Sequence, residues 1–301
     1  MIDGILNVYK ESGFTSFDVV AKLRGILKQK KIGHTGTLDP MAEGVLLVCL
    51  GKATKLVDML TAGDKIYRAQ MKLGFETDTE DITGNVICRS DSSIIDTVSF
   101  EQVQEAILSF IGEYDQVPPM YSAIKKDGKK LYEYARAGIQ IEREARHIKI
   151  YDIKNIIRKE DGTFCFDVHC SKGTYIRSLV RDIGRKLSCY AVLSGLLRLD
   201  LHGFQACDAL RLSQIEDAVN SQTILDHVLP IDALLTQYPA YEILEDGKKY
   251  LQNGNKLSPA LLKNPDVHTT QRIRVYMDGN FIALYDYDVH EKLYKPFKMF
   301  L

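Results

Sequence analysis

Two hydrophobic periods alternate along this chain. Gly4 to Tyr9 reads as a short strand, and Gly13-Phe14-Thr15-Ser16 turns into a helix with Thr15 or Ser16 as its N-cap. Val19, Val20, Leu23, Ile26 and Leu27 then recur at helical spacing. Gly44 to Leu50 is an unbroken apolar run of strand length. From Tyr67 to Gly74 the pattern switches to strict alternation, with Tyr67, Ala69, Met71 and Leu73 on one face and Arg68, Gln70 and Lys72 on the other. Ser99 caps a predicted helix over 100–111 that points Val103, Ile107 and Ile111 inward. Thr163 to Cys170 alternates again, and the helix after it buries Ile176, Leu179, Val180, Ile183 and Leu187. A short helix starts at Ser213. Strand-like runs from Arg272 to Tyr276 and Phe281 to Tyr285 flank Asp278-Gly279-Asn280, a hairpin turn. Helical and strand periods thus occur in one chain.

At 301 residues the chain has room for two domains. Its 45% hydrophobic and 26% charged residues are ordinary for a globular protein. The net charge is −1, so a nucleic-acid binder of this composition has to gather positive charge on one face. Two windows do so. Lys22, Arg24, Lys28, Lys30 and Lys31 have no acid among them on their side of the first helix and the turn after it. Lys125 to Lys149 holds eight cations against four anions, with Tyr132 and Tyr134 interleaved. Solvated faces also look like this, but cations with aromatics are what RNA loops ask for. The six cysteines form no Cys-x-x-Cys pair, and Cys165, His169 and Cys170 lack a second ligand pair, so buried, reduced cysteines and no metal are expected. No apolar stretch approaches the roughly 20 residues of a membrane span and no signal-peptide pattern opens the chain, so a cytoplasmic protein is expected.

The densest chemistry lies in Gly33-His34-Thr35-Gly36-Thr37-Leu38-Asp39-Pro40, followed by Met41-Ala42-Glu43-Gly44-Val45-Leu46. Pro40 biases Asp39 toward extended geometry, and the result is a stiff loop presenting one carboxylate. By itself it reads as a turn whose Asp39 bonds its own backbone. A phosphate loop requires a terminal Gly-Lys-Ser/Thr that is missing.

This stretch resembles the catalytic motif of the bacterial TruB family, whose members make pseudouridine in the T loop of transfer RNA. Further motifs resemble the family in its order: Lys65-Ile66-Tyr67-Arg68, the Thr77-Asp78-Thr79-Glu80-Asp81 loop, Pro118-Pro119-Met120-Tyr121-Ser122-Ala123, and Ser171-Lys172-Gly173-Thr174-Tyr175-Ile176-Arg177. Ala191, Leu196 and Arg198 match a last motif, and Leu229 to Leu234 resembles the family's domain junction. Two positions depart. Glu11 stands where the family's opening has proline, and Leu197 replaces the first of two arginines.

The resemblance implies an α+β protein with a pseudouridine synthase fold, a mixed, largely antiparallel sheet with flanking helices over residues 1–228, with an RNA-binding insertion at about 117–146. A PUA-like β-barrel follows over 229–301. It implies Asp39 as the essential carboxylate, nucleophile or base at the ribose, with Arg177 holding it ionised. Tyr67 stacks on the extruded base and, as a catalytic residue, helps move its C5 proton, Tyr175 and Leu196 wall the pocket, and His34 wedges into the T loop. Lys125, Lys129 and Lys130 meet the RNA backbone. Isomerisation of uridine 55 needs no cofactor, and a monomer without an obligate protein partner is expected. The alternative is a non-catalytic RNA-binding protein or folding chaperone on the same scaffold.

Overall fold

The computed structural model describes residues 1–264 and 271–301. A ten-stranded mixed sheet forms its centre. The strand order runs Val228–Leu229, Gly4–Lys10, Glu43–Leu50, Ala191–Leu201, Lys65–Leu73, Phe164–Cys170, Arg146–Arg158, Gly112–Gln116. Ile32–His34 and Phe204–Gln205 pair off this path. Among the described residues, every neighbouring pair of this sheet is antiparallel except one. Glu43–Leu50 and Ala191–Leu201 run parallel, with Leu197 opposite Glu43 and Arg198 opposite Gly44.

That parallel step explains a glycine. Gly44 has φ +100°, and a Cβ there would lie 2.2 Å from the Arg198 carbonyl oxygen. Only a residue without a side chain lets the two strands close at this seam. The catalytic-motif loop enters the sheet here.

The expected elements form largely as their patterns predict. Glu43–Leu50 is buried along seven of its eight positions, which an all-apolar run in a central strand requires. Thr15 is the cap of the Ser16–Ile26 helix and shares a capping box with Asp18. Ser99 caps the Phe100–Leu108 helix through Gln102. This second helix stops short of its predicted end. Ile111 lies outside it and is exposed, because Gly112 at φ +118° turns the chain into the next strand. The basic insertion contains a two-stranded hairpin, Lys125–Lys126 against Lys129–Lys130, before the Leu131–Arg136 helix. Gly128 at φ +83° makes its turn. Among the cysteines, Cys49, Cys165, Cys170 and Cys189 are buried and reduced as expected, but Cys207 is exposed and Cys88 half-buried.

Towards the C-terminus a four-stranded sheet runs Ala240–Glu242, Arg272–Met277, Asn280–Asp288, Leu293–Met299. The hairpin turn uses Asp278 and Gly279, both at positive φ. Leu284 and Phe300 of this unit pack with Ile5, Cys49, Ala53 and Leu56 of the central sheet and its flank.

Candidate active site

The Gly33–Ala42 loop is tied down from several sides. The Leu38 amide donates to Ser16 Oγ at 2.9 Å, and the Gly13 amide donates to the Pro40 carbonyl at 2.9 Å. Lys10, fully buried, donates from Nζ to the carbonyls of Ala42 (2.6 Å), Pro40 (3.2 Å) and Glu11 (3.3 Å). Three ammonium protons thus meet three carbonyl oxygens, as a buried lysine without an ion-pair partner must arrange. Burial lowers the Lys10 pKa to about 8. Arg198, also buried, donates from Nε to Val45 O (2.7 Å) and from Nη2 to Gly36 O (3.3 Å). The seam that requires Gly44 therefore also clamps the loop from behind.

The loop presents Asp39 to Arg177, 138 positions away. The pair is bidentate, Nε to Oδ2 at 2.9 Å and Nη2 to Oδ1 at 3.1 Å. Arg177 also donates to the carbonyls of Thr79 and Tyr121, each at 2.9 Å. Burial pushes the Asp39 carboxyl above the usual carboxylate range. Arg177 pulls it back, Asp81 pushes it up further and Lys10 pulls it down. Arg177 therefore favours the ionised carboxylate against the opposing effect of burial. Desolvation is the larger effect, and Arg177 is the counterweight that also fixes the orientation.

The Asp39 side chain, 35% exposed, opens into a cleft of about 290 Å³. Tyr67, Tyr175, Leu196 and Arg177 line it together with Asp39, so five of the predicted residues come together. Tyr67 is buried, and burial raises the pKa of its phenol. The backbone of Tyr175 is held at both ends by Gln116, whose amide accepts from Tyr175 N (2.8 Å) and donates to Tyr175 O (3.1 Å).

His34 does not line the cleft. It ends the Ile32–His34 strand, and its Nδ1 accepts from the Gly36 amide at 3.3 Å. Burial and the neighbouring Arg198 lower its pKa, so the ring is neutral near pH 7. Lys125, Lys129 and Lys130 also lie outside the cleft. Lys125 and Lys129 are exposed, and Lys130 Nζ sits 5.4 Å from the Tyr132 ring. Sequence reasoning missed Tyr121 and Tyr132 as cleft residues and Lys10 as the tether of the loop. Interleaved aromatics and a lysine in the opening motif were the available signals. The three arginines of the Ile176–Lys186 helix reach across the fold. Arg181 is buried on Glu80 and Arg185 pairs with Glu76, while only the Arg181–Asp182 contact is local.

Sequence comparison decides the family. Residues 24–176 match the TruB family pseudouridylate synthase (N terminal domain), and 177–236 match the tRNA pseudouridylate synthase B C-terminal domain. The chain belongs to the TruB family. The tRNA pseudouridine synthase B of Lachnoclostridium phytofermentans is 48% identical over 311 residues, all of both chains. That of Limosilactobacillus reuteri is 44% identical over 99% of each. Among solved structures, a Cbf5-Nop10-Gar1 complex contains a chain that superposes with TM-score 0.73 at 25% identity, covering 99% of this chain and 85% of the other. An archaeal box H/ACA sRNP Nop10-Cbf5 complex gives 0.70 at 23% identity and supports the fold alone.

Proposed function

We propose that this TruB family member isomerises the uridine of the T loop of transfer RNA, position 55, to pseudouridine. The observation that carries the reading is a carboxylate held by a buried arginine on the floor of a cleft walled by Tyr67, Tyr121, Tyr132, Tyr175 and Leu196. Such a cleft suits one uracil taken out of its stack, which costs roughly a few kcal/mol. The C1′–N1 bond breaks, the uracil turns within the aromatic walls, and a C1′–C5 bond forms as the C5 proton moves to solvent. Atoms balance without an oxidant or a co-reactant. Asp39 meets the ribose as nucleophile or base. Tyr67 stacks on the base, Tyr175 and Leu196 limit its rotation, and His34, neutral and able to stack, meets the T loop outside the cleft.

Binding that offsets extrusion comes from the insertion over about 117–146, with Lys125, Lys129 and Lys130 on its hairpin, and from the unit over 229–301, which we read as PUA-like. The enzyme works in the cytoplasm as a monomer. The test is tritium release from transfer RNA labelled at C5 of uridine. Wild type is expected to release one tritium per substrate, and Asp39→Asn none, while both bind the RNA. Tight binding without release by wild type would overturn the reaction in favour of a chaperone.

A further inference from the structure

The arginines of the Ile176–Lys186 helix stand about one turn apart, and the first two reach the insertion as well as an acid. Arg177 donates from Nη2 to the Tyr121 carbonyl and, from the same nitrogen, to Asp39. Arg181 donates from Nη2 to the Val117 carbonyl at 3.1 Å and from Nη1 to Glu80. Glu80 is only 6% exposed, and it also accepts from Ser178 Oγ at 2.6 Å. A second cation faces the same carboxylate oxygen: Arg143 Nη1 lies 3.7 Å from Glu80 Oε1. That nitrogen donates to the Pro118 carbonyl at 2.9 Å. The two ends of the insertion, 117–118 and 143, therefore converge on one buried acid of a different loop. Glu80 holds a left-handed backbone, φ +63°, which a non-glycine residue keeps only where its surroundings enforce it. Neither the catalytic loop nor the cleft accounts for this arrangement.

We propose that Glu80 is a positioning residue, clamping the insertion through Arg143 to the helix that carries Arg177. Alignment of Asp39 and seating of the insertion on RNA then become one event. The clamp rests on the pseudouridine synthase reading above. Its physical basis is that a small displacement of a held catalytic group costs rate far more than affinity. Tyr121 makes the connection short, since it lines the catalytic cleft and also the adjoining groove of about 330 Å³ that contains Glu80, Arg143 and Arg181.

The experiment measures single-turnover tritium release and RNA affinity separately for wild type, Arg143→Gln, Arg143→Lys, Glu80→Gln and the double Gln variant. Arg143, with a side chain 26% exposed, tolerates replacement without leaving a buried charge. Arg143→Gln is expected to slow the single-turnover step about tenfold or more while Kd moves by less than about threefold. Arg143→Lys should recover part of that rate. The double variant should be no slower than Glu80→Gln, since both remove one interaction. An unchanged rate, a loss confined to Kd, or additive losses would overturn the clamp. Should Glu80→Gln fail to fold, the two Arg143 variants decide by the same criteria. A wild type that releases no tritium overturns the reaction and the clamp with it, whereas an active wild type matched by Arg143→Gln overturns the clamp alone.

Discussion

The cations around the catalytic loop and those of the insertion's hairpin live in opposite surroundings. Lys10, Arg198 and Arg177 are 0%, 1% and 4% exposed, and each is bonded to named oxygens. Lys125 and Lys129 point into solvent. A desolvated cation is tolerated only when its donors are matched one by one, so it dictates where its acceptors sit. An exposed cation is screened by salt and acts in sum with its neighbours. The first set builds geometry; on the proposed function the second supplies affinity. Substitutions in the two sets should therefore fail in different observables.

The sharpest separation is expected at Arg177. Arg177→Ala leaves Asp39 without its bidentate partner and two carbonyls without a donor. Its single-turnover rate should fall about 10²–10³-fold, with RNA affinity changed only a few-fold. Rate and affinity falling together would move Arg177 into the affinity set.

Lys10 tests the same idea through pH. Its pKa in the fold is about 8, below the ordinary 10.5. The unfolded chain therefore binds more protons between those values, and the Lys10 contribution to stability rises with pH across that window. Below pH 8 the burial of the ammonium costs its full amount. Against Lys10→Met, which has no titration, wild type should gain roughly 1–3 kcal/mol between pH 8 and 10 in paired denaturant melts. A constant difference would mean that the ammonium is hydrated. Near neutral pH the same variant should lose activity, since the Pro40 and Ala42 carbonyls lose their donor.

The smallest effect should come from the exposed set. Replacing Lys125, Lys126, Lys129 and Lys130 with Gln should weaken RNA binding several-fold near physiological salt. The slope of log K against log salt should fall by about 0.7–0.9 for each phosphate that these lysines neutralise in the wild type. The single-turnover rate at saturating RNA should hold. An unchanged slope would place the RNA on other cations, such as those from Lys22 to Lys31.

The sequence makes half of this comparison legible. Alternation at Tyr67–Leu73, the apolar run at Glu43–Leu50 and the caps at Thr15 and Ser99 are local signals, and local signals survive in one dimension. Asp39, Tyr67, Tyr175, Arg177 and Leu196 are legible through motifs, and they meet in one cleft. The buried cations are harder to read. Lys10 looks like a surface lysine until its acceptors, 30 and 32 positions on, are known. Arg181 and Glu80 are 101 positions apart, and nothing in either neighbourhood names the other. His34 sits inside the strongest motif yet outside the cleft, because strand pairing with Val48 fixes its place. Motif membership marks a neighbourhood, whereas contact depends on sheet register.

The parallel seam between Gly44 and Arg198 has a consequence for how the protein is made. The loop bearing Asp39 leaves the ribosome early, but Arg177 follows 138 residues later and Arg198 later still. At 5–20 residues per second this is a delay on the order of ten seconds. Throughout it the nascent chain carries the Asp39 carboxylate without its counter-ion and a strand without its parallel mate. The Asp39–Arg177 pair is thereby withheld until most of the polypeptide has been translated, and a ribosome stalled before the arginine helix releases a fragment that lacks it.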